Sequence, residues 1–298
     1  MPEKSALARL LPIVPKSIVR KVSRRYIAGD HLDDALSAIK NLNASGVRGT
    51  IDILGEFIDR IEQARAAREI DFNILDGIRT SGVDANLSVK LSSLGLKIDF
   101  EFCCAATKAI LERAAGKFVR LDMEDSSCTD LTLNLYRRMR AEGFTNVGVV
   151  LQAYMRRTAA DIDALPADHL NVRLCKGIYV EPEAIAFKPR VEVQNNYTML
   201  LRKLVDKGAY VGIATHDDVL IDDAYRLISD RGLPKTSYEF QMLLGVREDK
   251  RTQIVRDGHG MRVYVPFGEQ WYGYSMRRLQ ENPKIAVYII KAMFGLDT

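Results

Sequence analysis

The sequence has few cysteines and no long hydrophobic run. These two features argue against a disulfide-stabilised protein and against a membrane-spanning one. Four cysteines occur in 298 residues, and Cys103 and Cys104 are adjacent in a predicted helix, which is a poor arrangement for a disulfide bridge. Together with Cys128 and Cys175 they show no metal-ligand spacing, so we expect reduced thiols in a cytoplasmic protein. The most apolar late segment, residues 285–290, is too short to span a bilayer, and the N-terminus lacks the pattern of a signal peptide.

Three recognisable site patterns are also missing. No Gly-x-Ser-x-Gly elbow is present, which argues against a serine hydrolase, and no Gly-x-Gly-x-x-Gly follows a predicted strand, which argues against a Rossmann dinucleotide site. Of the four histidines, His31, His169 and His259 fall in predicted helices or loops without chemical partners. His216 has no second histidine or cysteine at ligand spacing, so we expect no metal site.

The positive charge is modest and dispersed. The net charge is +4, and lysine and arginine are interleaved with aspartate and glutamate, which does not favour a nucleic-acid partner. The exception is residues 16–25, which include Arg20, Lys21, Arg24 and Arg25. This segment is either an exposed helical arm or a surface for peripheral contact with the anionic inner face of the cytoplasmic membrane, and the sequence leaves both readings open.

Strand-like and helix-like segments alternate from about residue 50 onward. Eight short segments rich in Val, Ile and Leu predict strands covered on both faces, over residues 50–54, 86–91, 118–123, 147–152, 171–175, 210–215, 238–242 and 262–266. Amphipathic segments between them predict helices, including residues 102–115, 131–141, 195–205 and 219–227. Gly143, Gly208 and Gly232 follow such segments and predict left-handed helix C-caps.

Eight alternations without a long linker predict an α/β fold of one (β/α)8 barrel. A doubly wound sheet is the structural competitor, but the eightfold count favours closure. Residues 1–48 predict a helical arm ahead of the barrel, and residues 49–298 the barrel itself, with a last helix over residues 284–294 packed on the barrel wall.

Polar residues stand at the predicted strand ends, where a barrel of this kind builds its active site. They are Glu56, Lys90, Asp122, Glu124, Gln152, Arg173, Lys176, Tyr179, Thr215, His216, Glu239 and Gln241. Arg277 and Arg278 follow the eighth strand, and their guanidinium forks suit a carboxylate, although adjacent arginines are also common on a solvated helix face. With Lys90 and Arg173 they predict a cationic mouth that binds a phosphate-bearing cofactor, a carboxylate substrate, or both.

Some of these residues have a second reading. Lys90 and Asp122 could form a structural ion pair, and His216 could be a strand-end residue with a satisfied hydrogen bond. Lys90 or Lys176 could instead be the Schiff-base lysine of an aldolase or a phosphate-binding isomerase.

Eight segments, taken in order, resemble the proline dehydrogenase family. They are residues 52–56, 89–92, 121–124, 151–154, 173–179, 214–216, 238–241 and 274–281. The resemblance extends from about residue 50 to the C-terminus, and the length is similar to that of the compact, monofunctional bacterial form. A catalytically silent, proline-sensing binding protein is the rival reading of the same resemblance.

The resemblance implies a distorted (β/α)8 barrel that holds noncovalent FAD at the strand ends. It also implies oxidation of L-proline to Δ1-pyrroline-5-carboxylate, the first step of proline catabolism to glutamate, by hydride transfer from proline C5 to flavin N5 with electrons passed to a quinone. The implied proline site has cations for the carboxylate, an acidic partner of the first arginine and walls for the ring, and comprises Glu56, Lys90, Tyr179, Leu243, Tyr264, Tyr274, Arg277 and Arg278.

The same resemblance implies catalytic roles for Arg173, near flavin N5, and for Asp122, which braces the basic cluster. Three positions bear on specificity: Ile178 is larger than the residue often found there, Val180 replaces an aromatic of some relatives, and Tyr264 favours proline over 4-hydroxyproline. The implied cofactor residues are Asp122, Gln152, Arg173, Lys176, Gly177, Thr215, His216, Gln241 and Glu281.

Overall fold

Eight parallel strands close into a barrel in which each strand pairs with its neighbours in chain order and the last pairs with the first. The computed structural model describes residues 16–55 and 58–281, without the side chains of residues 18, 21, 22 and 277–281. The strands are β1 (Arg48–Ile53), β2 (Ala85–Val89), β3 (Val119–Leu121), β4 (Val147–Gln152), β5 (Asn171–Cys175), β6 (Tyr210–Ala214), β7 (Tyr238–Leu243) and β8 (Met261–Phe267). The predicted (β/α)8 barrel is confirmed, and the doubly wound alternative is excluded.

Helices alternate with these strands. They are α1 (Lys16–Ser23), α2 (Leu32–Ala44), α3 (Ile61–Ser81), α4 (Phe100–Arg113), α5 (Ser126–Ala141), α6 (Thr158–Ala164), α7 (Arg190–Asp206), α8 (Asp218–Arg231), α9 (Glu248–Arg256) and α10 (Trp271–Glu281), with a 3-10 helix over Leu91–Leu94. Gly143, Gly208 and Gly232 have positive φ angles at the ends of α5, α7 and α8, as predicted. Within the described part of the chain, no helix has both the length and the apolar character needed to cross a lipid bilayer.

β2 and β3 each end two residues earlier than predicted because their polar residues leave the ladder. β2 ends at Val89, and the chain then turns into the 3-10 helix, with the Ser93 amide donating to the Lys90 carbonyl over 3.1 Å. β3 likewise ends at Leu121, although the Asp122 amide still donates to the Val89 carbonyl over 2.9 Å. Lys90 and Asp122 thus lie just beyond the barrel wall, at its C-terminal end.

The barrel interior carries a row of hydrogen-bonded polar side chains among the apolar ones. Glu239 accepts from both Arg262 Nε and Gln241 Nε2, each over 2.7 Å. The Gln241 amide fits because residue 212 on the neighbouring strand is glycine; a Cβ there would lie 2.5 Å from Gln241 Nε2. The row leads along β7 towards the C-terminal strand ends.

The first two helices pack on the barrel rather than standing apart from it. α2 packs against β1 and β8 through Ala35, Ile39 and Leu42, which belong to the same buried core as the strands. α1 packs against α10. The predicted division between an arm over residues 1–48 and a barrel over residues 49–298 stays a prediction, and the helix expected over residues 284–294 lies outside the described residues.

Helix α3 places an aspartate within its buried face. Asp71 is only 3% exposed and shares that face with Ala64, Ile74 and Ile78. Burial raises the pKa of Asp71 well above its usual range, the charge of Asp52 raises the pKa further, and Lys90 lowers it. Because the neutral acid is the better buried form, Asp71 stabilises the fold when protonated, and this contribution is lost as pH rises through its native pKa.

We therefore expect Asp71→Asn to gain stability relative to the parent protein as pH rises. The gain should approach about 1.4 kcal/mol for each unit by which the native pKa exceeds the unfolded value, and vanish below about pH 3, where both states are protonated. Denaturant unfolding of both proteins across this range is the measurement. A constant difference between them at every pH would contradict a titrating Asp71.

Candidate active site

A cavity of about 590 Å³ opens at the C-terminal ends of the strands, which is a typical size for a ligand site. Every strand supplies a lining residue, in most cases from its C-terminal end or the loop that follows. Predicted site residues in the lining are Lys90, Asp122, Gln152, Arg173, Lys176, Gly177, Tyr179, Thr215, His216, Gln241, Leu243, Tyr264 and Tyr274. The structure thus gathers around one cavity residues that are up to 184 positions apart in the sequence, from Lys90 to Tyr274.

Four predicted residues are not placed at this cavity by their side chains. Glu56 lies outside the described residues. Arg277, Arg278 and Glu281 lie on α10, but their side chains are not described, so an inward orientation of the two arginines stays a prediction.

Asp122 and Arg173 form the central ion pair of the cavity. Asp122 Oδ1 accepts from Arg173 over 2.8 Å and from the Ser88 hydroxyl over 2.6 Å, while Oδ2 accepts from the Tyr264 hydroxyl over 2.8 Å. On its other side the Arg173 guanidinium donates through Nε to Gln241 Oε1 over 2.7 Å. The guanidinium is therefore held by hydrogen bonds through both Nε and Nη1. Through Gln241, it is joined to the row of polar side chains in the barrel interior.

The Tyr264 ring is fixed by the same pair. Its hydroxyl donates to Asp122, and the Arg173 guanidinium lies 5.1 Å from the ring centroid, in cation–π contact. Burial, followed by the charges of Asp122 and Asp52, raises the pKa of the Tyr264 hydroxyl well above its usual range. Tyr264 is therefore a neutral hydrogen-bond donor at every physiological pH, and its ring is a rigid wall.

Lys90 pairs with Asp52, not with Asp122 as the alternative reading of the sequence held. The Lys90 ammonium contacts Asp52 Oδ1, and Asp122 is engaged by Arg173. Burial raises the pKa of Asp52 to about 6, although the charge of Lys90 lowers it. Asp52 was absent from the predicted site residues; the signal was an acid between Ile51 and Ile53 in a strand otherwise predicted to be buried.

Gln152 is held in one orientation by backbone carbonyls. Its Nε2 donates to the carbonyls of Met123 and Glu124, each over 3.2 Å, so its amide oxygen is the end left for a ligand. The Glu124 carboxylate in turn accepts from the amide and hydroxyl of Ser92. These bonds fix the loops after β2 and β3 against the end of β4.

A second cationic group lies at the ends of β5 and β6. Asp217 accepts from Lys176 and Arg190, each over 3.1 Å, and from Gln194 over 3.0 Å. Burial opposes ionisation of Asp217, but the hydrogen bonds and charges of these partners outweigh it and lower its pKa. The Thr215 hydroxyl oxygen accepts from the Asp217 backbone amide over 3.2 Å, so Asp217 holds Lys176 through its carboxylate and the Thr215 turn through its main chain.

His216 makes the hydrogen bond expected of a structural strand-end residue, and it also lines the cavity. Its Nε2 accepts from the Leu243 amide over 2.9 Å, which places the ring proton of the neutral form on Nδ1.

Gly177 lines the cavity at a position where a side chain has no room. Its φ is +102°, and a Cβ would lie 2.1 Å from the Tyr154 ring. Exposure at this loop is uneven, since Ile178 is 38% and Val180 97% exposed.

The chain matches a known family over most of its length. Residues 35–288 match the family described as proline dehydrogenase. The chain is 37% identical over 276 residues to proline dehydrogenase 2 of Bacillus subtilis strain 168, covering 92% of this chain and 91% of that protein. It is 34% identical over 278 residues to the proline dehydrogenase of Deinococcus radiodurans, covering 91% of this chain and 90% of that protein.

The fold is similar to that of a solved structure from a longer protein. That structure is proline utilization A from Bdellovibrio bacteriovorus, inactivated by N-propargylglycine, with a TM-score of 0.81 and 25% sequence identity. The similarity covers 88% of this chain and 33% of that chain, so this chain corresponds to about a third of the longer protein.

Proposed function

Because the chain belongs to the proline dehydrogenase family, an oxidoreductase family of proline catabolism, we propose that its barrel cavity binds FAD and oxidises L-proline to Δ1-pyrroline-5-carboxylate. The observation that carries the proposal is the pairing of two largely buried cations at one cavity: Lys90 with Asp52, and Arg173 with Asp122. Aromatic side chains stand beside these cations. A small amino acid with a carboxylate and an apolar ring suits such a lining.

The residues that line the other part of the cavity fit FAD. The Lys176 ammonium and the Thr215 turn suit the anionic pyrophosphate and its neighbouring ribose, and the Gln152 amide oxygen suits an N–H of the flavin ring. Gly177 has no side chain, so the backbone can approach a flat ring there. FAD held there would supply the electron acceptor, with its N5 atom as the expected destination of the hydride lost from proline C5.

The protein residues bind and orient the substrate. Lys90, together with Arg277 and Arg278 as expected from the sequence, would hold the proline carboxylate through charge-assisted hydrogen bonds. Glu56 would pair with the first of these arginines. Tyr264, fixed through its bond to Asp122, would form a wall for the pyrrolidine ring, with Tyr179, Leu243 and Tyr274. A substrate without the carboxylate would forgo the charge-assisted hydrogen bonds that these cations offer, and would bind more weakly.

We also propose a quinone as the final electron acceptor and peripheral contact with the inner face of the cytoplasmic membrane. The support is the basic stretch over residues 16–25, in which Arg24 and Arg25 are exposed. Two cations of that stretch make cation–π contacts with α10: Lys16 lies 5.2 Å from the Tyr272 ring centroid, and Arg20 lies 4.6 Å from that of Trp271.

The test is an anaerobic titration of the purified protein with L-proline, followed through the long-wavelength flavin band. We expect a yellow protein whose band bleaches with L-proline, but not with the methyl ester of proline at the same concentrations, since the ester lacks the carboxylate. A colourless, FAD-free preparation with full activity would exclude the flavoenzyme in favour of a Schiff-base enzyme. A flavin that proline binding never bleaches would favour a silent proline sensor.

A further inference from the structure

Residues 23–29, which we call the strap, run from the end of α1 across the C-terminal end of β8. The Ala28 amide donates to the Pro266 carbonyl over 2.9 Å, and the Gly268 amide donates to the Gly29 carbonyl over the same distance. These two backbone bonds join the strap to the chain on both sides of the end of β8. The strap is therefore part of the barrel mouth, although it precedes the barrel in the sequence.

The strap also contacts α10, the helix that carries the two candidate arginines. The Ser275 hydroxyl donates to the Trp271 carbonyl over 2.7 Å, and its oxygen accepts from the buried Ser23 hydroxyl over 2.6 Å. Ile27 packs in a small buried cluster with Tyr274 of α10 and with Leu54, which follows β1. The strap thereby connects α10 with the end of the first strand.

On its other flank the strap contacts the loop after β7. Arg25 Nε donates to the Gly245 carbonyl over 3.1 Å. Gly245 has a φ of +71°, and a Cβ at this position would lie 2.0 Å from the Arg25 carbonyl oxygen, so the two backbones are in close contact. A side chain at residue 245 would push the strap away from the barrel.

Tyr26 stands between these two attachments and lines the cavity. Its chain neighbour Arg25 is held at the loop after β7, and its other neighbour Ile27 packs on Tyr274. Those attachments place Tyr26 on the side of the cavity that Leu243 and Tyr274 also line. Tyr26 is half-buried, and burial raises the pKa of its hydroxyl even though Arg25 lowers it.

We propose that Tyr26, supplied by the arm that precedes the barrel, is a substrate-contacting residue that limits the size of the ring the site accepts, and that the strap holds it there. This inference rests on the proposed oxidation of proline. It assigns to the first part of the chain a role in specificity, through an aromatic wall that closes the cavity beside α10.

The experiment compares L-proline with L-pipecolate, whose ring is one carbon larger, in steady-state assays normalised to bound flavin. In Tyr26→Ala we expect the KM for L-proline to rise about tenfold with kcat changed less than about threefold, and the preference for L-proline over L-pipecolate to fall about tenfold. Tyr26→Phe keeps the ring and should keep the preference. The matched control, Arg24→Ala, alters an exposed residue of the same strap and should behave as the parent protein in this assay, which uses a soluble electron acceptor and no membrane.

Parent-like KM and preference in Tyr26→Ala would overturn the inference, and so would an equal loss of preference in Arg24→Ala. Either result leaves the proposed function standing as long as the parent protein oxidises L-proline. If the parent protein does not oxidise L-proline, the proposed function itself is wrong. If Tyr26→Ala retains no flavin, Tyr26→Leu takes its place, with a loss of preference expected and parent-like preference overturning the inference.

Discussion

Asp122→Ala should lower kcat/KM for L-proline by roughly a thousandfold and should also destabilise the fold. Removing the carboxylate leaves the Arg173 guanidinium, 8% exposed, without its counter-ion and takes away the acceptor of the Tyr264 hydroxyl. Breaking a buried ion pair by removing one partner costs about 3–5 kcal/mol, because the remaining charge is uncompensated. Two cavity residues would also lose their fixed orientation, and orientation is worth several orders of magnitude in rate.

Two variants separate these effects. Asp122→Asn keeps an oxygen that can accept from Arg173, so we expect a loss of about a hundredfold in kcat/KM. The matched control is Asp163→Ala, which removes a 67% exposed carboxylate from its pair with Lys203 and should cost less than about 1 kcal/mol. Flavin-normalised kinetics and denaturant unfolding are the measurements. An Asp122→Ala protein within tenfold of the parent kcat/KM would show that this network does not orient the site.

Lys90→Met should raise the KM for L-proline by about a hundredfold, the effect of losing one charged partner of a desolvated carboxylate. The same change removes the cation that lowers the pKa of Asp52, which is buried and already has a pKa of about 6. The pKa of Asp52 should then rise further. Since a carboxyl with a raised pKa stabilises the fold only when protonated, Lys90→Met should lose stability as pH increases through that pKa.

A double variant distinguishes the binding role of Lys90 from its structural one. Asp52→Asn combined with Lys90→Met removes both charges, so we expect the stability lost at neutral pH to return while the KM stays high. Lys90→Arg keeps a cation beside Asp52 and should retain the pH dependence of the parent protein. If the double variant regained the parent KM, Lys90 would serve only to neutralise Asp52.

The barrel could be predicted because its signal is repeated eight times in the hydrophobic pattern, and both faces of each strand are covered. The strand ends were less accurate at β2 and β3, where Lys90 and Asp122 leave the ladder for side-chain partners. For Lys90, a structural ion pair with Asp122 was an alternative interpretation of the sequence, and the structure instead shows a pair with Asp52. Acids stand on both neighbouring strands, and the choice between Asp52 and Asp122 depends on where Arg173 lies, which spacing along the chain does not encode.

Tyr26 shows a different limit of the sequence. The strap has no motif, and its contacts with α10 join residues 252 positions apart, such as Ser23 and Ser275. Hydrophobic periodicity describes each helix by itself and carries no information about such distant pairs. Asp52 was easier to predict from the sequence. An acid within a buried strand needs a compensating charge, and a lysine directly follows the adjacent strand.

Gly212 on β6 leaves the space that the Gln241 amide occupies, and that amide holds the Arg173 guanidinium. One added methyl group at residue 212 would therefore turn the amide aside and alter a cation that stands on a different strand. Substitution at this position is limited by volume alone, since glycine offers no chemistry of its own. A screen for residues that affect turnover would therefore identify Gly212 as well as the charged residues, because the reaction requires the space that its missing side chain leaves.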